Sequence, residues 1–204
     1  MNPKADVLLT GFEPFAGDAR NPSSEACALL DGEEIRGHRV RALILPTAFN
    51  AAALQLLREI ARTAPALVIA TGLAGGRCEI TPERFALNFS DARIPDNRGR
   101  QPRERSIIRG APLAYASTLP VTRIVTRLRQ AGIPAAPSLS AGAFVCNELF
   151  FRLRHALEGS RVRAGFIHLP YASEHVVDRP GVPSLPLATL AEGLRLAVET
   201  SLAG

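Results

Sequence analysis

Short apolar runs alternating with longer stretches of helical periodicity constrain this chain more than any other feature. Residues 7–10, 40–45, 67–71 and 164–169 are apolar runs too short for helices and bounded by turn-forming residues. Between them, the spacing predicts helices near residues 23–30 and over 49–64, 121–130, 145–157 and 184–201. Pro22 after Asn21 marks a helix start, because proline suits the first turn and asparagine caps it. Leu54, Leu57, Ile60 and Ala61 give the second helix its apolar face. Leu185, Leu187, Leu190, Leu194 and Val198 do the same for the last. Strands that alternate with helices build an α/β fold, with a largely parallel sheet covered on both faces.

The middle of the chain is less regular. Residues 84–89 read as a strand, 91–117 as an extended excursion rich in Pro and Arg, and 133–139 as a weak strand carrying two prolines. No repeat or linker-like segment divides the chain, so residues 1–204 read as one domain of a size that supports one core.

Composition narrows the function. The formal charge of +5 is carried almost wholly by Arg, yet no zinc-ligand series or aromatic-basic stripe accompanies it, which argues against a nucleic-acid partner. The three cysteines, Cys27, Cys78 and Cys146, are odd in number and far apart, so neither a disulfide framework nor a metal site is expected. The N-terminus lacks the apolar core of a signal peptide, and no apolar run reaches membrane-spanning length. A reducing cytoplasmic location is the expectation.

In a parallel sheet, ligands gather outside the carboxyl ends of the strands. Three polar residues stand at such ends. Cys146 follows the flexible Ser140-Ala141-Gly142-Ala143 and begins a helix. Unpaired N–H groups and the helix dipole would lower a thiol there from its usual value of roughly 8.5 and favour the thiolate. On position alone, an inert buried cysteine is an equal reading. His168 closes the strand that ends before Pro170, where a neutral imidazole could serve as a base for Cys146. Glu83, in Thr81-Pro82-Glu83-Arg84, could orient that imidazole, with Glu79, Asp91 and Asp96 as competitors. His38, His155 and His175 read as turn or helix-surface residues. The glycine-rich loop from Gly72 to Arg77 lacks the spacing of a P-loop or a dinucleotide fingerprint, leaving a tight turn or a pocket lining.

Seven runs, in order, resemble the pyroglutamyl peptidase I (pyrrolidone-carboxylate peptidase) family. They are Gly11-Phe12-Glu13-Pro14-Phe15, Gly72 through Arg77, Ile80-Thr81-Pro82-Glu83-Arg84, and Asp91-Ala92-Arg93-Ile94-Pro95-Asp96-Asn97. Ser117-Thr118-Leu119-Pro120-Val121, Phe144-Val145-Cys146-Asn147 and Phe166-Ile167-His168-Leu169-Pro170-Tyr171 complete the set. The resemblance implies a three-layer α/β/α sandwich with a mostly parallel twisted sheet. It implies a cysteine exopeptidase that removes N-terminal pyroglutamate through a thioester, without metal or cofactor. Cys146 would be the nucleophile, His168 the base and then the acid, and Glu83 the orienting acid. Phe12, Phe15, Leu73, Ile94, Phe144 and Val145 would bind the substrate, and Arg93 would assist the oxyanion or ion-pair with Glu83 or Asp91. The resemblance further implies a homo-oligomer, with a tetramer as one candidate.

The chain departs from the family pattern at Ala16 (commonly Gly), Leu73 (commonly Gln) and Ala143 (commonly a hydroxyl residue), and residues 98–109 are unusually basic. Leu73 and Ala143 keep open an amidase for another lactam or small acyl group. The basic segment keeps open a non-catalytic binding protein.

Overall fold

A computed structural model describes residues 6–203; the first five residues and Gly204, and with them the outermost parts of the leader reading and of the 1–204 span, lie outside the described residues. Four strands form the parallel body of a six-stranded sheet: β1 (Val7–Phe12), β3 (His38–Leu45), β4 (Leu67–Leu73) and β8 (Arg163–Leu169). Two short edge strands, β2 (Glu34–Ile35) and β5 (Thr81–Pro82), pair antiparallel to β3 and β8. The order across the sheet is β2-β3-β1-β4-β8-β5. The chain therefore leaves β1 for β3 on one side and returns to β4 on the other. Such a reversal opens a crevice at the strands' carboxyl ends.

Helices cover both faces. α1 (Pro22–Leu29), α3 (Val121–Gln130) and α5 (Leu187–Leu202) pack Cys27, Ile124, Leu128 and Leu194 on Val7, Leu9, Ile69 and Ile167. α2 (Ala51–Thr63) and α4 (Val145–Ala156) pack Leu56, Leu149 and Phe150 on Leu8, Val68, Ala70 and Phe166. Strand residues two apart face the same way, so this alternation of core membership fixes each side chain's layer. The result is the expected three-layer α/β/α sandwich.

The predicted cap is present. Asn21 Oδ1 accepts the Ser23 backbone N–H at 3.0 Å, and Pro22 occupies the first turn of α1. Ser23 Oγ in turn accepts the Phe12 N–H at 3.0 Å, drawing α1 against the end of β1. Gly11 permits that approach, since a Cβ there would lie 2.5 Å from the Ser23 carbonyl.

Three expectations need correction. The predicted strand over 84–89 shrinks to β6 (Phe85–Leu87), whose antiparallel partner β7 (Ala114–Ala116) ends the excursion. The weak strand over 133–139 makes only isolated bridges, Ile80 with Ala135 and Glu83 with Ser138. Pro134 and Pro137 lack the N–H groups that a continuous ladder needs. The closing helix starts at Leu187 instead of residue 184, because Ser184–Leu185 pairs as β10 with β9 (Tyr171–Ala172).

Candidate active site

The carboxyl ends of β1, β4 and β8 bring Phe12, Gly72 and His168 together, with Gly72 and His168 in register on neighbouring strands. Phe166 and His168 lie on the α2/α4 face, their rings 4.8 Å apart. α4 aims Cys146 at the same spot. A Cβ added at Gly72 would stand 2.9 Å from Cys146 Sγ, 3.0 Å from Phe166 Cζ and 3.5 Å from Phe12 Cδ2. The sulfur therefore rests over a glycine, one strand away from His168.

Glu83 follows β5 and is wholly buried; its N–H donates to the Phe166 carbonyl at 2.9 Å. Its Oε1 accepts His168 Nδ1 at 2.7 Å. An ionised carboxylate can only accept, so Nδ1 carries the proton and Nε2 is left with a free lone pair. Burial by itself would raise the Glu83 carboxyl, but His168 first, then the Ser138 hydroxyl and Arg77, outweigh it and hold the group below its ordinary range. Burial also lowers His168, against the upward pull of Glu83, so the resting imidazole is neutral.

The thiol overturns one expectation. Burial first, and the Glu83 carboxylate second, push Cys146 up to about 12; the backbone N–H at the helix start and the Arg77 charge offset this only in part. Cys27 is also pushed up to about 12, by burial, with Thr71 Oγ1 at 3.5 Å. Acidity does not separate the two cysteines. Placement does, since Cys27 is fully buried among helices while Cys146 keeps exposed surface at the crevice.

The competing acids fall away. Asp91 pairs with Arg103 at 3.6 Å, Asp96 accepts the backbone N–H groups of Phe49, Arg98 and Arg100, and Glu79 is only half-buried, unlike the wholly buried Glu83 that bonds His168. Both ion pairs considered for Arg93 go elsewhere, Glu83 to Arg77 and Asp91 to Arg103. Arg93 is exposed and shares with Phe15, Asp91, Ile94, Ala143 and Phe144 the lining of a cavity of about 340 Å³. That volume lies within the usual range for small-ligand sites. The Phe144 ring meets Phe15 at 6.1 Å and Phe49 edge-on at 5.3 Å.

The other expected wall residues sit deeper. Phe12 is buried beside Gly72, and Val145 is buried in the core under α4. Leu73 is buried at the end of β4, and strand alternation turns its side chain to the face opposite Cys146. Only the Leu73 backbone can take part at the crevice. His155 bonds the Tyr115 hydroxyl at 2.8 Å and His175 bonds Glu25 at 3.0 Å, so each is engaged with a partner outside the crevice.

A family model for pyroglutamyl peptidase matches residues 5–203. The chain belongs to that family. It is 49% identical over 197 residues to a pyrrolidone-carboxylate peptidase of Bacillus licheniformis, covering 96% of this chain and 91% of the relative. It is 50% identical over 196 residues to one from Chromobacterium violaceum, with coverage of 96% and 92%. Among solved structures, pyroglutamyl peptidase I of Bacillus amyloliquefaciens superposes with a TM-score of 0.94 at 42% identity, over 98% of both chains. Pyrrolidone carboxyl peptidase from Thermococcus litoralis superposes at 0.93 and 41%, over 97% of this chain and 93% of that one.

Within that family setting, two site residues had escaped the sequence reading. Arg77 bonds the buried Glu83, and Asn147 pins the loops beside Cys146. Asn147 Oδ1 accepts the Leu87 N–H, and its Nδ2 donates to the Leu87 and Phe89 carbonyls, each at 2.9 Å. The position next to a suspected nucleophile was the one signal available for Asn147. Arg77 offered none, because its partner lies six residues on, across a turn.

Proposed function

We propose that the protein hydrolyses the N-terminal pyroglutamyl residue from peptides, with Cys146 as nucleophile, His168 as general base and acid, and Glu83 as the group that orients His168. The observation that carries this reading is the single crevice in which a helix-borne thiol, a neutral histidine with a free Nε2 and a buried carboxylate meet.

The resting pair is neutral, so nucleophile and base act in one motion. As Cys146 Sγ bonds the pyroglutamyl carbonyl carbon, its proton passes to His168 Nε2, and Glu83 stabilises the imidazolium. The carbonyl π electrons move onto oxygen, where the N–H groups at the start of α4 face the developing charge. Collapse breaks the C–N bond; the departing amine takes the proton from His168 and leaves a thioester. Water, deprotonated by His168, attacks the thioester, and the thiolate leaves and regains its proton. Phe15, Ile94 and Phe144 give the lactam ring apolar walls, and the Leu73 backbone gives it a polar edge that survives the loss of a glutamine side chain.

A fluorogenic pyroglutamyl amide tests the reading against amides of proline, alanine and other lactams. Release from the pyroglutamyl amide alone supports it; a ranking in which another acyl group leads would favour the related amidase. The same reading makes the physiological substrates peptides, places the enzyme in the cytosol and makes it a homo-oligomer. The three free thiols suit a reducing compartment. Light scattering across concentrations checks the assembly, with a tetramer as the first candidate.

A further inference from the structure

We propose that Arg77 is a positioning residue for the catalytic acid, and that the glycine-rich loop after β4 exists to turn it back onto Glu83; the inference rests on the triad reading above.

Glu83 Oε1 accepts two donors, His168 Nδ1 at 2.7 Å and Arg77 Nη1 at 2.8 Å. Its other oxygen, Oε2, is buried and has no hydrogen-bond partner. Both close hydrogen bonds to this carboxylate therefore fall on one oxygen, with the Ser138 hydroxyl as a further group that favours its ionised form. Burying a carboxylate is costly, and the Arg77 guanidinium beside Oε1 offsets part of that cost while His168 supplies the larger share. Glu83 therefore stays ionised, and Arg77 fixes where its oxygen points.

Its geometry suits the task. Nη1 carries two hydrogens; one goes to Glu83 and the other to Thr81 Oγ1. Thr81 lies on β5, in register with His168. Arg77 thus locks the acid to the strand that flanks the base. The loop makes this possible. The Arg77 N–H donates to the Ala74 carbonyl at 3.2 Å, closing a turn whose Gly76 has φ +90°. At Gly75, a Cβ would lie 2.9 Å from the Tyr171 ring. The glycines fold the chain back on itself, and the side chain that emerges is Arg77.

The charged groups that face His168 are Glu83 and Arg77; Cys146 and the Phe166 ring, on the same face, are neutral. Arg77 opposes protonation of His168 and favours ionisation of Cys146, so it keeps the base free at lower pH. Its side chain is about a third exposed, which makes substitution tolerable to the fold.

Arg77→Met and Arg77→Lys test the inference on the pyroglutamyl amide. R77M should lose roughly tenfold or more in kcat with KM within about twofold. The acid limb of its kcat/KM profile should move to higher pH. R77K should keep the limb where the parent has it, with kcat only partly reduced. The titration of His168, followed by NMR on nitrogen-labelled histidine, should move upward in R77M without any need for turnover. If R77M does not fold, Thr81→Val, which frees Nη1 from its second anchor, should lower kcat at constant KM. Parental kcat and His168 titration in R77M, or parental kcat in T81V where R77M is lost, would overturn the inference. An inert parent enzyme whose His168 titration still shifts in R77M would sink the functional reading and leave the role of Arg77 standing.

Discussion

Gly72 carries no side chain, and the crevice depends on that. A methyl group there would stand 2.9 Å from Cys146 Sγ and 3.0 Å from Phe166 Cζ, closer than such contacts allow. Gly72→Ala should fold, since both neighbours are side-chain atoms that can yield. Displacing the sulfur by a fraction of an ångström should nonetheless cost roughly 100-fold in kcat, read by steady-state kinetics on samples of parental circular dichroism. The pH profile belongs to the same scale. The proposed mechanism requires neutral His168, whose pKa burial lowers from its ordinary 6.5, so the acid limb of kcat/KM should fall below 6.5. The raised thiol predicts that alkylation of Cys146 by iodoacetamide keeps accelerating beyond pH 9. A plateau near pH 7 would mean a preformed thiolate. At Ala16, φ is 55°, a left-handed conformation that suits the glycine common at this position in the resemblance. Ala16→Gly should therefore stabilise the fold by about 0.5–1 kcal/mol, measured by urea denaturation.

At the scale of elements, α4 is fixed at its first turn by the residues after Cys146. Asn147 is fully buried and holds three backbone groups of the 87–89 segment. Glu148 accepts the Asn50 N–H at 2.6 Å and so ties α4 to the start of α2. Asn147→Ala strands those backbone groups without partners and should cost about 3 kcal/mol, visible as a lower denaturant midpoint. The parallel strands and their helices were legible because periodicity and length report burial directly. The segment from 88 to 113 was not. Asn88 holds the Ile108 and Ala111 carbonyls, and Asp96 gathers N–H groups from Phe49 to Arg100. Bonds between side chains and distant backbone leave no periodic trace. The same reason hid Arg77, whereas Cys146, His168 and Glu83 were visible because each closes or opens a regular element. Leu73 reads as part of the glycine-rich loop but lies on β4, and strand alternation, not residue type, decides which face it serves.

For the whole molecule, the proposed triad ties catalysis to acid stability. Glu83 and His168 both have folded-state pKa values below their ordinary ones. In each case the unfolded chain binds protons more readily, so stability is full above the ordinary value and is lost as pH falls. His168 should begin to weaken the fold below about pH 6.5 and Glu83 below about 4.5. Glu83→Gln removes the second contribution, so its melting temperature should fall less steeply below pH 4.5 than the parent's. The sandwich also explains why the site can be buried yet open. Two helical layers close the faces of the sheet, and only the carboxyl edge, where the strand order reverses between β1 and β4, is left for a ligand.

The central claim is that Cys146 carries the acyl group. Mixing enzyme with a pyroglutamyl ester or amide, quenching in acid within the first turnover and mapping the peptides by mass spectrometry tests it directly. The pyroglutamyl adduct should appear on the peptide containing Cys146, and vanish in Cys146→Ala together with turnover. An adduct on Cys27 or Cys78, or full turnover in Cys146→Ala, would contradict it.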